Sequence, residues 1–177
     1  YHVCVKEQSM AGSTKHLMPI WHAEIHPPPP RRFFFDCGAS LYNSGSGGAS
    51  LGWFLSGHAR RGLPFDRTLA WEFTPHDNAS ILNPLPPGLR ARTSIYRDPS
   101  QAPVGCCTDD TLSYHNYGVD ALPGSARNPL VHLRALATPR DLVVFKLDID
   151  SPEIELAIVQ QILADPVGTA GLIDEFY

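Results

Sequence analysis

Residues 31–72, RRFFFDCGASLYNSGSGGASLGWFLSGHARRGLPFDRTLAWE, decide how the rest of the chain is read. Phe33, Phe34 and Phe35 form a short run without a polar residue, the pattern of a strand buried on both faces of a parallel sheet, and the run stops at Asp36, Cys37 and Gly38. Ser44, Gly45, Ser46, Gly47 and Gly48 follow as a turn with almost no side-chain bulk. Backbone N–H groups in such a turn, and the start of the helix behind it, can approach a ligand closely, because glycine adds no Cβ and accepts positive φ. From Ala49 to Arg60, Leu51, Phe54, Leu55 and His58 recur at three- and four-residue steps, which marks one apolar face of a helix packed on the sheet. Phe65 to Phe73, with Thr68 to Trp71 at its centre, reads as a second strand. It delivers Glu72 at its carboxyl end, where a carboxylate can accept hydrogen bonds from both hydroxyls of a ribose. The turn is not Gly-x-Gly-x-x-Gly, and Glu72 stands farther from Asp36 than the ~20 residues usual in a dinucleotide fingerprint, so a plain NAD site is disfavoured.

The alternation continues downstream. Asp77 to Leu82 reads as a short helix halted by Pro84, Pro86 and Pro87, and Arg92 to Tyr96 as a third strand running into Asp98. Residues 99–127 look like loop, with a polar aromatic cluster, Tyr114-His115-Asn116-Tyr117, that is either a source of substrate contacts or part of an unstructured surface insertion. Asn128-Pro129 is a helix start, a capping side chain followed by proline at the first helical position, with Leu130, Leu133 and Leu136 on one face. Leu142 to Leu147 is a fourth strand, apolar except at Lys146, which we assign to a structural ion pair. Ser151-Pro152-Glu153 caps a further helix, and Leu172 to Tyr177 begins a fifth strand. The expected fold is an α/β Rossmann-like open sheet, mostly parallel, with helices on both faces. Asp36, Glu72, Asp98 and Asp148 then all fall at carboxyl ends of strands, where open α/β sheets bind ligands.

The chain has 177 residues, 43% of them apolar, enough for one domain with a real core. Its net charge of -4 argues against general nucleic-acid binding. No apolar run approaches the ~20 residues of a membrane span. Residues 1–30 show no clear period and end in Pro27 to Pro30, so they are expected to form an extended arm ahead of a domain over 31–177. His16, His22 and His26 in that arm lack a completing Cys or carboxylate pattern, and we assign no metal to them. The chain opens at Tyr1 without Met and closes at Phe176-Tyr177 inside an apparent strand, so a fragment, C-terminally incomplete, is expected. Cys37 reads as a small core residue, while the adjacent Cys106 and Cys107 and the Asn78-Ala79-Ser80 sequon lean toward the secretory pathway.

Three motifs resemble the FkbM-type family of class I S-adenosylmethionine-dependent methyltransferases. The chain has Asp36-Cys37-Gly38-Ala39 where the family's first strand closes on Asp-x-Gly-Ala, and Trp71-Glu72-Phe73-Thr74-Pro75 where its second closes on Glu followed by Pro. Lys146-Leu147-Asp148-Ile149-Asp150-Ser151-Pro152-Glu153 stands where its fourth carries Lys-Ile-Asp-x-Glu-Gly-x-Glu. The chain departs from the family in the extra residues Ser40 to Asn43 and in Asp150-Ser151 for Glu-Gly. The resemblance implies S-adenosylmethionine as cofactor, held by the Asp36 motif, with Gly38, Gly45 and Gly47 along its amino-acid portion. It further implies Glu72 on the ribose and Asp98 on the adenine amino group. Asp148 and Asp150 would face the transferred methyl and the acceptor, a small-molecule or carbohydrate hydroxyl, with a carboxylate or His115 as general base.

Two other classes stay open. Asp148-Ile149-Asp150 after an apolar strand is also how nucleotide-sugar glycosyltransferases hold a divalent metal on diphosphate oxygens. A methyltransferase-like module without catalysis, serving protein partners in a larger assembly, fits the same pattern. The glycine turn and the lysine before the motif are accounted for by the methyltransferase reading and not by the glycosyltransferase one.

Overall fold

The computed structural model describes residues 29–44, 50–104 and 110–177. In chain order the elements are β1 (Arg32–Cys37), α1 (Leu51–Arg60), β2 (Arg67–Trp71), α2 (Asn78–Leu82), α3 (Pro87–Arg90), β3 (Thr93–Tyr96), β4 (Leu112–His115), α4 (Pro129–Leu136), β5 (Leu142–Leu147), α5 (Pro152–Ala164) and β6 (Glu175–Phe176). The strands form one open six-stranded sheet in the order β3-β4-β2-β1-β5-β6, every pair parallel. This is the Rossmann-like α/β architecture the sequence leads one to expect, with parallel pairing throughout. Except for Pro29 and Pro30, the arm expected over residues 1–30 lies outside the described residues, as do Gly45, Gly47, Cys106 and Cys107. Among the described residues no helix is long and apolar enough to cross a membrane.

The phenylalanine run explains the centre of the sheet. Successive side chains of a strand point to opposite faces, so Phe33 and Phe35 join Leu69, Trp71, Val143 and Phe145 beneath α4 and α5, which contribute Leu130, Leu133, Ile158 and Ile162. Phe34 joins Ala70, Leu112, Tyr114 and Val144 on the other face, covered by Leu51 and Phe54 of α1 and Ile81 of α2. All three phenylalanines are buried, each contributing roughly 1.5–3 kcal/mol from its removal from water. A strand with apolar side chains on both faces is stable only between two helix layers, and β1 accordingly pairs with β2 on one side and β5 on the other.

Helix starts follow local chemistry. Ser50, Asp77 and Asn128 accept hydrogen bonds from the backbone N–H of Trp53, Ser80 and Leu130 respectively. Pro129 and Pro152 sit in the first turns of α4 and α5, where a missing N–H has no cost. Ser151 makes no capping bond; Glu155 instead reaches back to accept from the Ile149 N–H at 2.9 Å.

Two expectations need correction. Residues 99–127 are not loop throughout: Leu112–His115 is β4, inserted between β2 and β3 in the interior of the sheet. Ser113 and His115 are buried there although polar, so this strand is buried on both faces without the continuous apolar run that marks such a strand in sequence. The fifth strand expected from Leu172 begins only at Glu175. The Asp165 carboxylate binds the Gly168 N–H and the Thr169 hydroxyl, turning the chain into a 3-10 turn at Ala170–Leu172 before β6 forms.

Candidate active site at the carboxyl ends of the central strands

From β1 the chain runs to β2 on one side and later returns to β5 on the other, so the order reverses beside β1, the position at which open α/β sheets form a ligand crevice. A cavity of about 780 Å³ lies there, lined by the segments that follow β1, β2 and β5 and by Gly118 and Val119 beyond β4. One wall is Gly38 to Ser40 with Glu72 to Thr74; the other is Asp148 to Ser151 with Ile154.

Gly38 makes the first wall possible. Its φ is +89°, and a Cβ there would lie 1.8 Å from the Asp148 carbonyl oxygen, so no other residue lets β1 leave the sheet flush against the end of β5. The N–H groups of Gly38 and Ala39 both donate to the Trp71 carbonyl, joining the ends of β1 and β2. Ser40 also has positive φ, +49°, and is held by three bonds: its N–H donates to Glu72 Oε2 at 2.8 Å, its carbonyl accepts from the Tyr114 hydroxyl at 2.6 Å, and its Oγ accepts from Ser44 Oγ at 2.7 Å. Thr74 N–H donates to Glu72 Oε1 at 2.6 Å. The Glu72 carboxylate is therefore fixed by two backbone donors, with lone pairs left for a ligand in the cavity. Burial, with Glu72 and Asp36 nearby, pushes the Tyr114 phenol well up, so it remains a donor.

Beneath the cavity, Lys146 Nζ donates to Asp36 Oδ1 at 2.8 Å and to the Gly38 carbonyl at 2.9 Å. Both side chains of this pair are buried. Burial alone would pull the ammonium down, but the Asp36 carboxylate beside it more than compensates and holds it charged. Lys146 is thus the structural ion pair expected of it, and Asp36 is turned toward it, outside the cavity lining, with Oδ2 unpartnered.

The second wall is built differently. Asp148 and Asp150 are exposed, and neither takes a side-chain hydrogen bond or ion pair from the described residues. The Asp148 N–H donates to the Cys37 carbonyl, which anchors the backbone and leaves the carboxylate free at the cavity. Asp150 has φ +55°.

The remaining sequence candidates are dispersed. His115 lies in β4 rather than in a loop, is 1% exposed, and does not line the cavity. It stacks on Trp71 and Tyr96, faces His132, and shares a hydrogen bond between Nδ1 and the Tyr117 hydroxyl at 2.7 Å. Burial, then His132 and Arg67, hold its imidazole well below the ordinary value, so it is neutral. Asp98 follows β3 at the edge of the sheet, away from the cavity lining, where its carboxylate caps the turn Pro99–Gln101 through the Ser100 N–H. Among the described residues no group of three or more His, Cys, Asp or Glu is placed to hold a metal ion.

Sequence reading missed Ser40 and Gly118, and named Tyr114 and Asn116 only as members of a cluster open to substrate contact. That cluster drew attention to His115 instead. Compared with known protein families, with characterised proteins and with solved structures, the chain finds no match.

Proposed function

We propose that the chain is an S-adenosylmethionine-dependent O-methyltransferase of FkbM type, acting on a small-molecule or carbohydrate hydroxyl. The observation that carries this reading is the charge of the cavity. Its described lining holds three carboxylates, Glu72, Asp148 and Asp150, and one cation, Lys146, whose charge is already matched by Asp36. Such a lining attracts a ligand that brings positive charge and hydroxyls. S-adenosylmethionine carries an ammonium, a sulfonium and a ribose, so the donor set fits it. A nucleotide diphosphate would need a divalent metal between it and these carboxylates, which is the alternative the titrations below separate.

In this reading Glu72, set by Ser40 and Thr74, accepts from the ribose hydroxyls. Gly38 keeps the end of β1 low enough for the cofactor to lie across it. The bound cofactor supplies a methyl group on a positively charged sulfur. Asp148 would orient the acceptor hydroxyl and hold its proton at a carboxylate oxygen, a contribution worth typically 10²–10⁴-fold in rate. Phe73, 78% exposed beside Glu72, with Val119 and Ile149, supplies apolar surface for the flat parts of either ligand.

Calorimetric titration with S-adenosylmethionine and S-adenosylhomocysteine tests the proposal. Saturable binding that weakens ten-fold or more in Glu72→Ala supports it, since two charge-assisted hydrogen bonds are removed, each worth about 1.5–3 kcal/mol. Manganese-dependent binding of a nucleotide sugar, abolished by Asp148→Asn, with no heat from either sulfur compound, would replace it with the glycosyltransferase reading. Silence toward all three would favour a non-catalytic module.

A further inference from the structure

We infer that Asn116, at the carboxyl end of β4, is a positioning residue that fixes the Glu72 carboxylate for ribose binding; the inference rests on the methyltransferase reading. Asn116 is 7% exposed, while Phe73, Thr74 and Pro75 beside it are exposed. Every hydrogen-bonding capacity of its side chain is used. Oδ1 accepts from the His76 N–H at 3.0 Å and from Arg97 Nη1 at 3.0 Å. Nδ2 donates to the Thr74 carbonyl at 2.8 Å and, at 3.5 Å, to that of Glu72. Two donors converge on the oxygen and two carbonyls on the nitrogen, so only one orientation of the amide satisfies the site.

The partners all belong to one segment or brace it. Residues 72–76 join β2 to α2 without regular structure of their own, and Asn116 grips them at Glu72, Thr74 and His76. Arg97, beyond β3, completes the grip: its Nη2 donates to the His76 carbonyl at 2.8 Å and to Asn78 Oδ1 at 2.7 Å. Both backbone polar groups of His76 are thereby held from the ends of β3 and β4. The consequence reaches the cavity through Thr74, whose N–H is one of the two donors on the Glu72 carboxylate. Two residues further along the same strand exit, Gly118 seats Phe73: a Cβ at Gly118 would come within 2.7 Å of the Phe73 ring. The end of β4 thus sets the backbone on either side of Glu72, although Asn116 itself does not line the cavity.

A double-mutant cycle on the full chain separates positioning from a purely structural role, with S-adenosylhomocysteine as the titrant. Asn116→Ala is expected to weaken binding about ten-fold in the wild-type background and by less than about two-fold in a Glu72→Ala background, because its effect passes through Glu72. Equal losses in both backgrounds, or no loss in the wild type, would overturn the inference. If Asn116→Ala does not fold, Asn116→Asp carries the same test: it keeps both accepted bonds, removes both donated ones, and is expected to show the same coupling. Loss of affinity in Glu72→Ala with none in either Asn116 variant defeats this inference alone. Absence of S-adenosylhomocysteine binding in the wild type defeats the methyltransferase reading and this inference with it.

Discussion

Ser40 and Asp150 both line the cavity and are the two non-glycine residues with positive φ among those described, yet their surroundings are opposite. Ser40 is tied through its N–H, its carbonyl and its hydroxyl, and its neighbours Glu72 and Thr74 are tied in turn. Asp150 has an exposed carboxylate that takes nothing from the described residues. A left-handed residue is held in place only if its surroundings over-determine it, and such residues gather where ligands bind. On the first wall the over-determination is visible as hydrogen bonds. On the second the backbone is set by Asp148 N–H on Cys37 and by Glu155 on Ile149, while the acids themselves remain free. The contrast separates two tasks. In the proposed function, a wall whose carboxylate is fixed by backbone donors with lone pairs to spare would hold a ligand in place, and a wall of carboxylates without hydrogen-bond partners among the described residues would meet the acceptor.

The largest effect should come from breaking the pair on which both walls rest. Lys146→Met leaves Asp36 buried without a partner and releases the Gly38 carbonyl, and is expected to cost about 3–5 kcal/mol in denaturant unfolding. A loss under 1 kcal/mol would mean that the walls do not share this foundation. Gly38→Ala should follow at roughly 3 kcal/mol, combining left-handed strain with a backbone collision against Asp148. Gly62→Ala is its control: its φ is +76° but nothing lies within 4 Å, so strain alone, about 1 kcal/mol, is expected. Equal costs at the two glycines would deny the close approach of β1 to the end of β5.

Acid should loosen the side of the sheet that carries β4. His115 and His132 are both held below their ordinary value, chiefly by burial, so the unfolded chain binds more protons than the folded one once the pH falls below about 6.5. Stability is then complete above that pH, declines as pH falls from there toward the lower folded values, and levels off below them. Thermal melts between pH 7.5 and 5 should show the midpoint dropping, with a shallower drop in His132→Phe. A midpoint that rises toward pH 5 would contradict the neutral pair.

The smallest effect sharpens the comparison most. Asp150→Gly relieves a left-handed cost of about 1–2 kcal/mol, offset by the greater unfolded-state freedom of glycine, about 0.4–1 kcal/mol, and loses no bond. A gain near 0.5 kcal/mol is expected. Ser40→Gly relieves the same strain but gives up a hydroxyl contact, so its net change should be near zero or unfavourable. Reversal of that order in paired melts would show that Asp150 is the better-anchored residue.

What the sequence disclosed was set by the kind of physics involved. The Phe33–Phe35 run, the Asn128-Pro129 start and the apolar Leu142–Leu147 stretch are local signals, and each lies where pattern and capping chemistry put it. Lys146 was legible because a lone cation in an apolar strand requires a partner. β4 was not, because Ser113 and His115 are buried by tertiary context that a four-residue window does not contain. Asp98 illustrates the same limit from the other side. It follows a strand as expected, but the insertion of β4 moves that strand to the edge and leaves Asn116, not an acid, next to the Glu72 wall.

The division of labour between the walls is tested most directly by measuring cofactor affinity in two variants by calorimetry. S-adenosylhomocysteine binding should weaken at least ten-fold in Glu72→Ala and change less than about three-fold in Asp148→Asn, whose loss belongs to turnover instead. Affinity lost at Asp148 and retained at Glu72 would contradict the account.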